Sequence, residues 1–280
     1  MTEAIDAVEG RSIRLSCAEQ ILGERPLAEK LRLVRDAGFD GIDLRWSTLA
    51  APSTRSVVAE HDLPVAAIYS QLRDPCLLSR TAGERAAALD CVVERAEAAV
   101  QIGAPRLVMV PIFGPPRLRG FDPLVGVTEL ETALLLAMLG ELAERIDGLP
   151  LTVAVEPLNP AETHFLTDPA RAAALCDAIG SPRIAPMVDT YHCHRNGQDA
   201  PAQIIELGDR LALVHLSDSD RRLPGEGSID FGPLLAALLR QSYAGWLGFE
   251  TRPVQDLESL TRSVQHVRRV WARVVDGEEV

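Results

Sequence analysis

The chain has 280 residues, 47% hydrophobic and 24% charged, the balance of a globular protein rather than a disordered one. Its 28 basic and 40 acidic residues leave a formal net charge of −12, opposite in sign to the surplus of a protein that grips a nucleic-acid backbone. No apolar run approaches the ~20 residues of a membrane helix. The start, Met1-Thr2-Glu3-Ala4-Ile5-Asp6, lacks the basic-then-apolar order of a signal peptide, so a cytoplasmic protein is expected.

The first β-branched run, Ile13–Ser16, predicts a strand, and the helical spacing of Leu27–Ala37 predicts the helix after it. Lys30, the only lysine, falls in that helix and is expected on its solvated face, which excludes a Schiff-base lysine at a strand end. Strands Gly41–Arg45 and Val65–Tyr69 follow, each with a helix behind it, Thr54–His61 and Ala82–Ile102. Next come strand Leu107–Pro111 with helix Thr128–Ile146, and strand Leu151–Val155 with helix Pro169–Ile179. The last three pairs are Ile184–Val188 with Pro201–Leu207, Leu211–Leu216 with Gly232–Gln241, and Trp246–Glu250 with Leu257–Val275. Gly38, Gly103-Ala104-Pro105, Gly148-Leu149-Pro150 and Gly180-Ser181-Pro182 close helices, and Thr167-Asp168-Pro169 opens one.

Eight strand–helix pairs of about 35 residues each, with no linker between them, predict a mainly parallel sheet. A doubly wound open sheet would place a glycine-rich nucleotide turn after its first strand, and Cys17-Ala18-Glu19-Gln20-Ile21-Leu22-Gly23 is not one. The fold class expected is therefore α/β, a (β/α)8 TIM barrel, with residues 1–280 as a single domain. The five cysteines, Cys17, Cys76, Cys91, Cys176 and Cys193, are odd in number and never paired as Cys-x-x-Cys, so reduced thiols are expected rather than disulfides or a zinc knuckle.

Four apolar strands in the second half end in ligand-type residues: Glu156, Asp189, His215 and Glu250, spaced 33, 26 and 35 residues apart. The carboxyl ends of barrel strands form the active face, and neighbouring strands lie ~4.8 Å apart. Four such residues in register are therefore expected to converge on one ion. Side-chain alternation places Ala154, Thr152 and Gly248 beneath them, small enough to leave room. Three carboxylates and one imidazole favour a hard divalent cation, Mn²⁺ first, with Mg²⁺, Co²⁺ and Zn²⁺ also open. His192, Glu162 and Arg221 follow ligand residues by three, six and six positions. His192 is expected to bind substrate, while His164 and His194 are expected to be plain loop residues. Arg117 and Arg119, in Gly114–Gly120, read as surface arginines, which favours an unphosphorylated substrate.

Here the chain resembles the xylose-isomerase-like TIM barrels, the sugar isomerases and epimerases such as ketose 3-epimerases and inosose isomerases. The matching stretches are Val155-Glu156-Pro157-Leu158-Asn159, Asp189-Thr190-Tyr191-His192, Val214-His215-Leu216-Ser217-Asp218 and Phe249-Glu250, with Arg222–Phe231 also similar. The resemblance implies that Glu156, Asp189, His215 and Glu250 bind the cation and that Glu162, His192 and Arg221 contact substrate. Pro160-Ala161 stands where the ketose epimerases commonly have an arginine and an aromatic residue, so that wall differs.

A cation on the carbonyl and hydroxyl oxygens of an α-hydroxyketone acidifies the intervening C–H and stabilises the enediolate. Glu156 and Glu250 are the expected catalytic pair, one taking the proton and the other returning it. Return to the opposite face of the same carbon is epimerisation, and return to the neighbouring carbon is isomerisation. Loss of a β-hydroxyl, as from an inosose-like or dehydroshikimate-like substrate, is the alternative, dehydration. A three-zinc abasic-site nuclease of the same superfamily would need histidines at the third and fourth strand ends, and Ala67–Gln71 and Val110–Phe113 supply none. The expected partner is a small sugar or cyclitol, with no nucleic acid and no membrane, and a homo-oligomer (dimer or tetramer) is allowed.

Overall fold

A computed structural model of the chain describes residues 12–121 and 123–278. Met1–Asp6, read above for targeting, lie outside the described residues, as do the extreme ends of the expected domain. Among the described residues, nine strand segments form one parallel sheet. They are β1 (Arg14–Ala18), β2 (Gly41–Arg45), β3 (Val65–Tyr69), β4 (Arg106–Met109), β5 (Thr152–Val155), β6 (Ile184–Pro186), β7 (Val188–Asp189), β8 (Val214–Leu216) and β9 (Trp246–Phe249). Their order is β6-β5-β4-β3-β2-β1-β9-β8-β7, and β6 and β7 are consecutive, separated only by Met187.

That interruption closes the barrel. The Met187 N–H donates to the Val155 carbonyl on one side, and the Val188 N–H donates to the Leu213 carbonyl on the other. The chain thus changes neighbours at Met187, where the sequence predicts a single strand Ile184–Val188. Pro186, just before it, has no N–H to continue the ladder. The result is an eight-position ring, the TIM barrel anticipated from the βα rhythm.

Helices surround the ring: α1 (Leu27–Asp36), α2 (Trp46–Leu49), α3 (Thr54–His61), α4 (Ala82–Gln101), α5 (Val127–Arg145), α6 (Pro169–Ile179), α7 (Thr190–Arg195), α8 (Ala200–Leu207), α9 (Phe231–Arg240) and α10 (Leu257–Val275). The expected punctuation operates locally. Asp168 Oδ1 accepts from the Ala170 and Arg171 N–H groups ahead of Pro169, and Gly180 ends α6 in the left-handed conformation at φ 68. Two short helices, α2 and α7, are absent from the sequence reading; each is under two turns, too short to carry a periodic signal. All five cysteines are free thiols.

Lys30 corrects one expectation. It is 4% exposed rather than solvated, and its Nζ lies 3.0 Å from Glu19 Oε2. Glu19 follows β1 and is itself buried, with Oε1 accepting the Arg45 main-chain N–H at 2.8 Å. A buried carboxylate needs cationic and N–H partners, and the long lysine stem reaches one from α1. No helix among the described residues is long and apolar enough to cross a membrane.

Candidate metal centre and active site

Register brings the four sequence-predicted ligands together. Asp189 pairs with His215 across β7 and β8, and His215 pairs with Gly248 across β8 and β9. Glu250 lies two residues on, its N–H still bonded to the Leu216 carbonyl, and the Glu156 N–H is bonded to the Met109 carbonyl. Both glutamates are therefore fixed at the barrel rim by the last rungs of the ladder.

One ligand atom from each of Glu156, Asp189, His215 and Glu250 lies within 4.8 Å of the others. His215 Nδ1 stands 3.4 Å from Glu156 Oε1, 3.4 Å from Glu250 Oε2 and 3.8 Å from Asp189 Oδ2. Three of these atoms, Glu156 Oε1, Asp189 Oδ2 and His215 Nδ1, are buried without a hydrogen-bond partner. Such atoms are sparse in native interiors, and three ligand-type ones meeting at one point form a donor set that fits a hard divalent cation. Asp189 divides its oxygens. Oδ1 caps α7 by accepting the His192 N–H at 2.9 Å, and Oδ2 faces the cluster.

The charges are strongly coupled. Burial and the nearby Glu250 raise the Glu156 carboxyl above its ordinary range. Burial acts the same way on Glu250, but Arg221 and His215 outweigh it and hold that carboxyl well below. His215 is raised despite burial, through its contacts with Glu156 and Glu250.

His192, Arg221 and Glu162 also gather here. His192 is 2% exposed, in α7 rather than in a loop. Its Nδ1 accepts the Asn159 N–H at 3.0 Å, and its Nε2 lies 2.7 Å from Arg221 Nη2. Arg221 Nη1 donates to Glu250 Oε2 at 2.9 Å, Nη2 is 3.8 Å from Glu162 Oε1, and the guanidinium sits over the Tyr191 ring. Glu162 Oε1 also accepts from Asn159 Nδ2 at 2.9 Å. Asp218, a conceivable partner for Arg221, is fully committed elsewhere. Its carboxylate accepts main-chain N–H groups from Ser219, Gly225, Gly227 and Ile229. That knot holds the loop in which Asp220 and Arg221 adopt left-handed backbone, φ 59 and 56, and so aims Arg221 inward.

Several contributors escape the sequence reading. The Tyr69 hydroxyl meets His215 Nε2 at 3.3 Å, leaving Nδ1 for the cluster. Gln20 Nε2 donates to Glu250 Oε1 at 3.4 Å. Asp43 lies inside the barrel, fully buried, accepting from Ser16 Oγ at 2.9 Å. Its one sequence signal is a lone charge within the apolar strand Gly-Ile-Asp-Leu. A Cβ on Gly248 would stand 2.9 Å from Asp43 Oδ2, so the glycine makes room for this acid. His164 is also more than a loop residue, with Nε2 2.6 Å from the buried Glu131 and Nδ1 2.9 Å from the Gly114 carbonyl, so it ties the β4 and β5 loops together. Arg117 pairs with Asp74 at 2.6 Å.

A cavity of about 210 Å³ opens above the cluster. A larger one, about 450 Å³, lies at the amino ends of β5 and β6 beside Thr152 and Ile184. Among the described residues the larger cavity has no convergence of metal-ligand side chains, and barrel chemistry occupies the carboxyl ends.

The sequence pattern of the xylose isomerase-like TIM barrel matches residues 31–270. The chain belongs to this family. It is 31% identical over 145 residues to a ketose 3-epimerase of Arthrobacter globiformis, a match spanning 51% of this chain and 49% of that one. The chain thus spans about half the length of the ketose 3-epimerase relatives it matches. Against the 3-dehydro-D-guloside 4-epimerase of Escherichia coli the identity is 23%, over 86% of this chain and 92% of the other. The crystal structure of a 3-keto-D-glucoside 4-epimerase from E. coli superposes with a TM-score of 0.81 at 21% identity, covering 92% of this chain and 100% of that one. An L-ribulose 3-epimerase structure gives the same score at 20% identity, over 95% and 97% of the two chains. These likenesses establish the fold.

Proposed function

We propose that this chain is a divalent-metal-dependent isomerase or epimerase of a small keto-sugar or inosose, acting by proton transfer α to a carbonyl. The observation that carries the reading is the convergence of Glu156 Oε1, Asp189 Oδ2 and His215 Nδ1, buried and unpartnered, with Glu250 beside them. Those four residues would hold the cation, Mn²⁺ in our assignment. When bound, it supplies Lewis-acid polarisation of a substrate carbonyl.

The chain's own residues do the rest. Glu156 and Glu250 reach the site from β5 and β9, separated in the ring by the strands that carry Asp189 and His215, so they address a substrate from different sides. One removes the proton and the other returns it. Arg221 and His192 direct donors toward the substrate oxygen that gains charge. Glu162, braced by Asn159, accepts from a substrate hydroxyl. Burial of the cluster keeps bulk water from competing for the proton. The family membership and the epimerase names among the relatives agree with this chemistry.

The test is an NMR screen of Mn²⁺-loaded protein in deuterated water with ketoses, inososes and hydroxypyruvate. Deuterium should enter at the carbon α to the carbonyl with mass otherwise conserved. Glu156→Gln and Glu250→Gln should each slow exchange by about 10²–10⁴. Loss of water from the substrate would replace this reading with dehydration, and no exchange in any compound would refute it.

A further inference from the structure

The cavity above the cluster has two unlike ends. One is made by Glu156, Glu162, Arg221 and Glu250. The other is built from the loops after β3 and β4, by Gln71, Arg73 and Phe113. In the ring, β3 and β4 stand across the barrel from β8 and β9, the strands of His215 and Glu250. A substrate chain held by its reacting carbons at the carboxylate cluster therefore extends toward Arg73.

Arg73 is set apart from most other arginines of the molecule. Its guanidinium lies 4.1 Å above the Phe113 ring centroid, which fixes its plane and leaves its N–H edges open. Among the described residues, no acceptor or carboxylate engages those N–H groups. The adjacent carboxylate, Asp74, is held by Arg117 at 2.6 Å, and Arg117 Nη2 donates to the Arg73 carbonyl at 2.5 Å. The backbone of Arg73 is thus anchored while its charge stays unspent. Gln71, two residues earlier, adopts φ 48, in the left-handed region that a side chain rarely tolerates, and strain of this kind gathers at functional loops. The cavity is also lined by Val108, Val110 and Leu158, which are apolar, and by Tyr69, whose hydroxyl is turned to His215 Nε2.

We infer that Arg73 binds an anionic group, a carboxylate or a phosphate ester, at the substrate end remote from the carboxylate cluster. The inference rests on the reading of that cluster as the reacting end.

Three probes share one α-hydroxyketone head and differ only at C6: D-fructose, D-fructuronate and D-fructose 6-phosphate. Exchange of the carbon-bound α-proton, read by NMR in deuterated water with Mn²⁺-loaded protein, gives kcat/KM for each. At least one charged probe should exceed fructose by about 10–100-fold. The member that leads identifies carboxylate or phosphate as the group recognised. Arg73→Met should bring the charged-to-neutral ratio within about threefold, and Arg73→Lys should keep part of it. Fructose equal to or better than both charged probes, or a preference that survives Arg73→Met, overturns the inference. If no probe exchanges, the reaction assigned to the cluster fails, and calorimetric titration of the same three probes decides Arg73 separately. Tighter binding of a charged probe, lost in Arg73→Met, upholds the anion site; equal binding or none overturns it.

Discussion

Asp43→Asn should change how stability responds to pH. Asp43 is completely buried between Ser16, Gly248 and His215, and burial pushes its carboxyl from 3.8 up to about 7, against the partial offset of His215 and Ser16. The folded state therefore holds this proton more tightly than the unfolded chain. The stabilisation from holding it is complete below the unfolded value near 3.8 and is lost as pH rises through about 7. A gap of about 3 between the folded and unfolded values, at 1.36 kcal/mol for each, is worth at most about 4 kcal/mol. About 2.5 kcal/mol of that change falls between pH 5 and pH 8. The amide introduced by the substitution does not titrate, so its own burial cost is constant and cancels in the comparison. Urea unfolding of both proteins in chelator, at pH 5, 6, 7 and 8, reads the difference directly. The chelator matters because a nearby cation favours the ionised acid and shrinks the effect. The mutant should gain on wild type steadily as pH rises. A stability gap that stays constant from pH 5 to 8, or moves the other way, would show that Asp43 is charged at all these pH values or reached by water.

Three further outcomes follow from the same geometry. Asp189→Asn removes the oxygen aimed at the cluster while an amide oxygen can still cap α7, so cation affinity should fall at least about 10-fold with little loss of fold; unchanged affinity by titration would remove Asp189 from the ligand set. Arg221→Ala and His192→Ala should each cut kcat about 10²–10³ while cation content, measured by elemental analysis, stays at wild-type level. Gly227→Ala drives a Cβ into Asp218 Oδ1, so the Asp218 knot must open. It should cost about 1–3 kcal/mol in thermal or urea stability and lower kcat through Arg221, with cation affinity kept.

The local features are written in the chain. The alternation of β-branched runs with helical stretches, and the glycine and proline stops between them, set the barrel, because short-range propensity and burial pattern act within each unit. The metal-ligand candidates are equally legible, since Glu156, Asp189, His215 and Glu250 occupy one structural position repeated at a unit's spacing. What the spacing does not carry is pairing between units. Met187 is the point where the sheet changes neighbours because closure of the ring requires it. Lys30 is buried because Glu19, eleven residues earlier, needs a cation inside the fold. His164, in the loop after β5, meets Glu131 of helix α5, and Tyr69 meets His215 across the barrel, 146 residues away in sequence. Asp218 serves the loop backbone while Arg221 serves the cavity, although the two stand only three residues apart. Arg73 is one of many arginines in sequence, and only its stacking on Phe113 and its place in the cavity wall distinguish it. Charges find partners through space, and the partner is chosen by which strands the barrel sets side by side.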